Sequence, residues 1–247
     1  DEVTPPPDPR HQKEYRYLRK EERTLIEKRI ETTNVQICYY IGINTGVRVS
    51  ECFGLTWSDV DFDRRRIHIN KQLRFQDKKW CFTPLKTVNS YRDVEVTEAF
   101  INYLRALKEQ QELSKQFYGS AYCSENVVWD RREKNQDVRM IVTDFINVKP
   151  NGKMMTSDSE KFLAKIIKAD CGIYFKYHNL RHTYATILAE KGAHPKFVQK
   201  QLGHAKLEFT LRYYTHVTEE MGRQAMKALS QEVSVPFKEC PKLKKAQ

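Results

Sequence analysis

Residues 178–217 read HNLRHTYATILAEKGAHPKFVQKQLGHAKLEFTLRYYTHV. The spacing of their apolar positions predicts two helices, over residues 178–190 and 195–202. His178 and Arg181 stand at i and i+3 on the first, so an imidazole and a guanidinium share one helix face. Such a pair can grip a phosphate. Arg presents a planar fork of donors matched to phosphate oxygens, and His can donate, accept or move a proton near neutral pH. Taken alone, His-x-x-Arg is far more often a surface pair at a helix start, so its meaning depends on the rest of the chain.

Working outward, a helix is predicted over residues 158–170, with Ser157 and Glu160 in a capping arrangement and Gly172 beyond its end. Thr97 is placed to cap a helix carrying Phe100, Ile101, Leu104 and Leu107 as one buried stripe. Strands are predicted over residues 66–72, with Ile67 and Ile69 inward, over 80–83 and over 93–96, as one small antiparallel sheet. Two helices precede them, one within residues 18–33 and one from Asn34 to Thr45-Gly46. Residues 120–156 read as an insertion with a strand over 141–148 and a turn at Pro150-Asn151-Gly152. A last helix, over residues 218–229, repeats Met221, Ala225, Met226 and Leu229 at helical spacing. The fold class is α+β, mainly helical with a small antiparallel sheet.

The 247 residues carry 43 Lys and Arg against 32 Asp and Glu, a net charge of +11, and 40% are hydrophobic. With a mean hydropathy of −0.71 the chain can build a core, and no run reaches the roughly 18 to 20 apolar residues of a membrane span. Thirteen Tyr, twelve Phe and three Trp argue against disorder throughout. Cys38, Cys52, Cys81, Cys123, Cys171 and Cys240 are well separated and form no C-x-x-C pair, so they read as reduced packing thiols of an intracellular protein. The positive balance favours a polyanionic partner. Four of the nine prolines fall within residues 1–10, which therefore read as an extended arm.

Metal chemistry fits poorly. His178 and His182, at i and i+4, lack the Glu that a zinc-hydrolase helix needs, since the following residue is Asn179. Asp59, Asp61 and Asp63 begin like a calcium loop, but Arg64 and Asn70 stand where Gly and Glu are required, so these acids read as loop and cap residues. Other candidates are Arg48 in Thr45-Gly46-Val47-Arg48-Val49-Ser50-Glu51, Lys86 after Pro84-Leu85 at the hairpin edge, His204 in Leu202-Gly203-His204, and Tyr214 in Tyr213-Tyr214-Thr215-His216-Val217. A tyrosine hydroxyl becomes a nucleophile only with neighbouring cations and a hydrogen-bonding base.

In this order the five elements resemble the catalytic domain of the tyrosine recombinases, the phage-integrase family, and most of all integrases of conjugative transposons and related integrative elements. The resemblance runs from about residue 18 to 218. It implies that Arg48 and Arg181 bind the non-bridging oxygens of the scissile phosphate. His178 would bond the phosphate and take a proton, and His204 would donate to the phosphate or the nucleophile oxygen. Lys86 would protonate the departing 5′ oxygen, and Tyr214 would be the nucleophile. Tyr213, at the nine-residue spacing some members use, stays an alternative to Tyr214, the choice resting on the Thr215-His216 that follow.

The implied activity is metal-independent, cofactor-free cutting and rejoining of DNA at specific sites through a 3′-phosphotyrosine, serving excision and integration of a mobile element. The implied partners are double-stranded DNA, further copies of the chain as a dimer or tetramer on DNA, and an accessory DNA-bending or excision factor, with no membrane. The setting would be the bacterial cytoplasm, at the nucleoid. Residues 1–16 would link to an upstream DNA-binding region, 17–218 form the catalytic domain with 120–156 inserted, and 219–247 dock in trans. A type IB topoisomerase-like enzyme and an inactive DNA-binding protein of the same fold are the alternatives.

Overall fold

The computed structural model describes residues 16–133, 139–214 and 219–232. The proline-rich arm, Thr215-His216 and the tail over 233–247 lie outside these. Helix α1 (Lys20–Ile30) turns Ile26 and Ile30 inward, and α2 (Gln36–Thr45) follows it. Ile37, Cys38, Tyr39 and Ile41 of α2 are all buried, as expected of a helix packed on several sides. Gly46 ends α2 in the left-handed conformation, with φ 62°, and the chain re-enters a helix at α3 (Val49–Phe53).

Two sheets form where one was expected. Strands β1 (Val60–Asp61), β2 (Arg66–Ile69) and β5 (Arg92–Glu95) make an antiparallel sheet in the order β1-β2-β5. Strands β3 (Gln72–Gln76), β4 (Lys79–Thr83), β6 (Asn126–Asp130) and β7 (Arg139–Thr143) make the second, in which β4 and β6 run parallel. The single strand expected over 66–72 is therefore two. It breaks at Asn70-Lys71 because both side chains turn back to Asp59, which accepts from Asn70 Nδ2 at 3.0 Å and pairs with the buried Lys71 ammonium. Asp59 also accepts from Thr56 N at 2.9 Å, and Asp61 accepts from Arg64 N at 2.9 Å, so these acids do serve as loop and cap residues.

Between the sheets' strands, α4 (Glu98–Tyr118) begins at Thr97, whose hydroxyl accepts from Phe100 N at 3.3 Å. Its buried residues are Phe100, Ile101, Leu104 and Leu107, the expected stripe. In the inserted region, Asn126 Oδ1 accepts from Met154 N at 2.8 Å and its amide donates to Gly152 O, closing the turn.

Helix α5 (Ser157–Cys171) departs from expectation at its start, because Ser157 is already helical and Glu160 instead accepts from Tyr177 N at 3.1 Å. That bond fixes the entry to α6 (His178–Glu190), which packs on α2 where Gly42 admits Leu180 and Tyr177. Helices α7 (Pro195–Leu202) and α8 (Leu207–Leu211) and a single 3₁₀ turn over Arg212–Tyr214 complete this side. Helix α9 (Glu219–Glu232) exposes Met226 and Leu229, while the side chains of Met221 and Ala225 are outside the described set. Among the described residues no helix is long and apolar enough to cross a membrane.

Candidate active site

Arg48 stands at the N-cap position of α3, just before its first turn. The Glu51 carboxylate accepts from Arg48 N at 2.9 Å and from Arg48 Nη1 at 2.7 Å, so backbone and guanidinium are held by one acid. Glu51 is buried and also accepts from Arg92 Nη2 at 2.9 Å. Burial would raise its carboxyl, but Arg92 and Arg48 outweigh that and hold it below the ordinary carboxylate value.

Arg181 lies on the buried face of α6, 2% exposed, with Nη1 donating to Gly46 O and Nη2 to Leu202 O, both at 2.7 Å. Two helix-ending turns thus orient one guanidinium. Both use glycine: Gly46 has φ 62°, and Gly203, following Leu202, has φ 66°. Burial, then the like charges of Arg48 and Arg92, pull the Arg181 pKa down to about 9, which leaves it charged at neutral pH. A cation so placed is short of a counter-anion, a setting suited to phosphate.

Three imidazoles surround it. His178 stands at the rim, edge to face with His182 at 4.4 Å between ring centroids, so these two histidines pack on each other. Partial burial, then Arg181 and Arg48, push the His178 pKa down to about 4. His204 follows α7, with Nδ1 3.0 Å from Thr210 Oγ1. Burial and then Arg181, Arg48, Arg92 and His178 push it down to about 3. His178, Arg181 and His204 each feel the charge of Arg48, and Arg181 is bonded to the carbonyls of Gly46 and Leu202, each two residues from Arg48 or His204, so the four form one cluster. Neutral imidazoles beside two arginines can donate to, or take a proton from, a group bound between them.

Among the described residues, the other two expected residues make no hydrogen bond or ion pair with that cluster. Tyr214 donates its hydroxyl to Ala193 O, and partial burial raises its pKa. Tyr213 is the tyrosine that faces the imidazoles. Its hydroxyl lies 2.7 Å from His182 Nδ1, and its ring stacks near that of His204 at 6.4 Å. Lys86 is exposed, and it does not sit in a hairpin turn. Strand β4 pairs with β3 and β5 with β2, so Lys86 lies on the crossover between the two sheets.

Arg92 was not among the expected residues, and it joins three parts of the site. Its Nε donates to Gln201 O at 2.7 Å, Nη1 to Ser90 O at 2.8 Å and Nη2 to Glu51. The signal was present in β5: Arg92 is two residues before buried Val94, on the inward face of a period-two strand. An inward Arg on a core face needs partners, and these are found on α3 and α7.

The Phage integrase family model matches residues 16–221. A tyrosine recombinase XerC-like protein of Caldanaerobacter subterraneus is 28% identical over 219 residues, covering 85% of this chain and 52% of that protein. The transposase from transposon Tn916 of Enterococcus faecalis is 30% identical over 202 residues, covering 77% of this chain and 44% of the transposase. The chain spans about half the length of these curated relatives. Among solved structures, the Tn1549 transposon integrase in complex with transposon right end DNA shares the fold. The TM-score is 0.65 at 22% identity, covering 93% of this chain and 68% of that one. With its ordered motifs, its architecture and a family match over most of its length, the chain belongs to the phage integrase family.

Proposed function

We propose that this chain is the catalytic part of a site-specific tyrosine recombinase that cuts and rejoins DNA to integrate and excise a mobile element. The observation that carries the reading is the convergence of Arg48, Arg181, His178 and His204 into one cationic cluster, tied by the bonds of Arg181 to Gly46 O and Leu202 O and of Arg92 to Glu51 and Gln201 O, with its imidazoles neutral. In the proposed reaction, Tyr214 Oη bonds to phosphorus and loses its proton toward His178 or solvent. Arg48 and Arg181 hold the non-bridging oxygens as charge builds on them. His204 donates to the same phosphate, and the P–O5′ bond breaks as Lys86 gives a proton to the leaving oxygen. Attack by a partner strand's 5′ hydroxyl reverses the step, and the phosphotyrosine conserves the bond, so no ATP is consumed.

The substrate is double-stranded DNA in the bacterial cytoplasm, at the nucleoid. Further copies would assemble on paired sites, with α9 docking on a neighbour and an accessory DNA-bending or excision factor setting direction. Attack requires Tyr214 to leave Ala193 O.

The test uses a pool of nicked duplexes of randomised sequence. The nick lies a few nucleotides past the cleavage point, so the released 5′-hydroxyl fragment diffuses away. A covalent protein–DNA adduct is expected, mapped by peptide mass to Tyr214, lost in Tyr214→Phe and kept in Tyr213→Phe. An adduct on Tyr213 reassigns the nucleophile. Absence of any adduct favours the inactive DNA-binding alternative. Strand exchange between two labelled duplexes carrying the trapped sequence separates recombination from topoisomerase-like relaxation.

A further inference from the structure

The crossover that carries Lys86 is pinned on both sides. Pro84 has a fixed φ and no N–H, and its carbonyl accepts from Gln72 Nε2 at 2.8 Å. Leu85 N donates to Tyr91 Oη at 3.2 Å, and Thr87 Oγ1 lies 2.9 Å from Ser90 Oγ. Gln72 is 7% exposed, and its other end is used as well: Oε1 accepts from Ser50 Oγ at 3.1 Å. Ser50 is on α3, two residues after Arg48. One amide therefore joins the helix that follows Arg48 to the backbone two residues ahead of Lys86. The Lys86 ammonium itself makes no hydrogen bond or ion pair with a described residue.

We propose that Gln72 is a positioning residue that holds Lys86 in register with Arg48, by bridging Ser50 to the carbonyl of Pro84. This rests on the recombinase reading and on Lys86 as the proton donor. A flexible four-carbon ammonium must reach the 5′ oxygen while Arg48 grips the same phosphate, and proton transfer demands hydrogen-bond distance. A primary amide suits the bridge because it accepts at one end and donates at the other. Glutamate could accept from Ser50 but could not donate to Pro84.

A bridging-sulfur substrate tests this. When the scissile 5′ oxygen is replaced by sulfur, Tyr214 Oη–P forms and P–S breaks as before, but the sulfur departs as a thiolate and needs no proton from lysine. The unsubstituted chain, Gln72→Leu, Gln72→Glu, Lys86→Ala and Arg48→Lys are each given the trapped duplex with oxygen or sulfur at that position. Gln72→Leu and Gln72→Glu are expected to slow adduct formation on the order of 10²-fold with oxygen and to come within about threefold of the unsubstituted rate with sulfur. Lys86→Ala should show the same pattern, and Arg48→Lys should be slow on both. Equal losses on the two substrates, or no loss, would overturn the role of Gln72. Failure of sulfur to rescue Lys86→Ala would overturn the proton-donor role and this inference with it. No adduct from the unsubstituted chain would instead overturn the recombinase reading. Thermal melting checks the fold of each variant. If the Gln72 variants do not fold, Ser50→Ala removes the other end of the bridge, and a sulfur-rescued loss supports the proposal while an unrescued one rejects it.

Discussion

Arg48 and Arg181 are both arginines, but their surroundings differ in a way that predicts different sensitivities. Arg181 spends two donors on Gly46 O and Leu202 O, whereas Arg48 spends one on Glu51 and keeps a side chain that is 39% exposed. Arg48→Lys keeps the charge but loses the fork, so adduct formation is expected to fall about 10²-fold while DNA affinity changes little. Near-wild-type cleavage would take Arg48 out of the site.

The histidines give a second residue-level prediction. His182 and His204 are pushed down to about 3, in each case first by burial. In the unfolded chain they titrate near the ordinary value of about 6.5. Acidification from there therefore protonates the unfolded state first, and stability present above pH 6.5 drains away as pH falls. The thermal midpoint should drop between pH 7 and pH 5, and His182→Gln should flatten that slope. An unchanged slope in the variant would reject the assignment.

At the scale of elements, the site depends on how helices end. The last turn of α7 supplies Leu202 O to Arg181 and Gln201 O to Arg92, and it closes through Gly203 at φ 66°. A Cβ there would stand 2.8 Å from Asn89 O and 3.0 Å from Arg92 Cδ. Gly203→Ala combines left-handed strain with a backbone clash and is expected to cost about 1–3 kcal/mol. It should also lower cleavage, because both acceptor carbonyls shift. Denaturant unfolding and adduct formation would be measured together. A change within about 0.5 kcal/mol, in the range of a neutral surface substitution, would show that the turn has slack.

For the whole molecule, the net charge of +11 is a statement about polyanions rather than about fold. If the chain neutralises about six phosphates, DNA affinity should fall on the order of 10³-fold between roughly 50 and 200 mM salt. A flat response in a filter-binding or anisotropy titration would mean that the charge is no DNA footprint. Cleavage should continue in EDTA, since Arg48, Arg181 and Lys86 are proposed to handle the phosphate charge. Loss of cleavage restored by Zn²⁺ or Mg²⁺ would return the metal reading.

Local pattern was enough for much of this protein. The bounds of α6 and α7, the cap at Thr97 and the four buried residues of α4 were all legible, because helix periodicity and capping depend on residues within a few positions of one another. The candidate residues were legible too, as motifs in order. Their mutual arrangement was not. The division of the strands into two sheets, the parallel pairing of β4 with β6, the turn of Tyr213 rather than Tyr214 toward His182, and the three bonds of Arg92 join segments far apart in the chain. Sequence spacing says which face of an element is buried. Which distant carbonyl or carboxylate satisfies a buried guanidinium is decided only when the elements pack, because that partner is chosen by proximity in space and by the cost of leaving a buried donor unpaired.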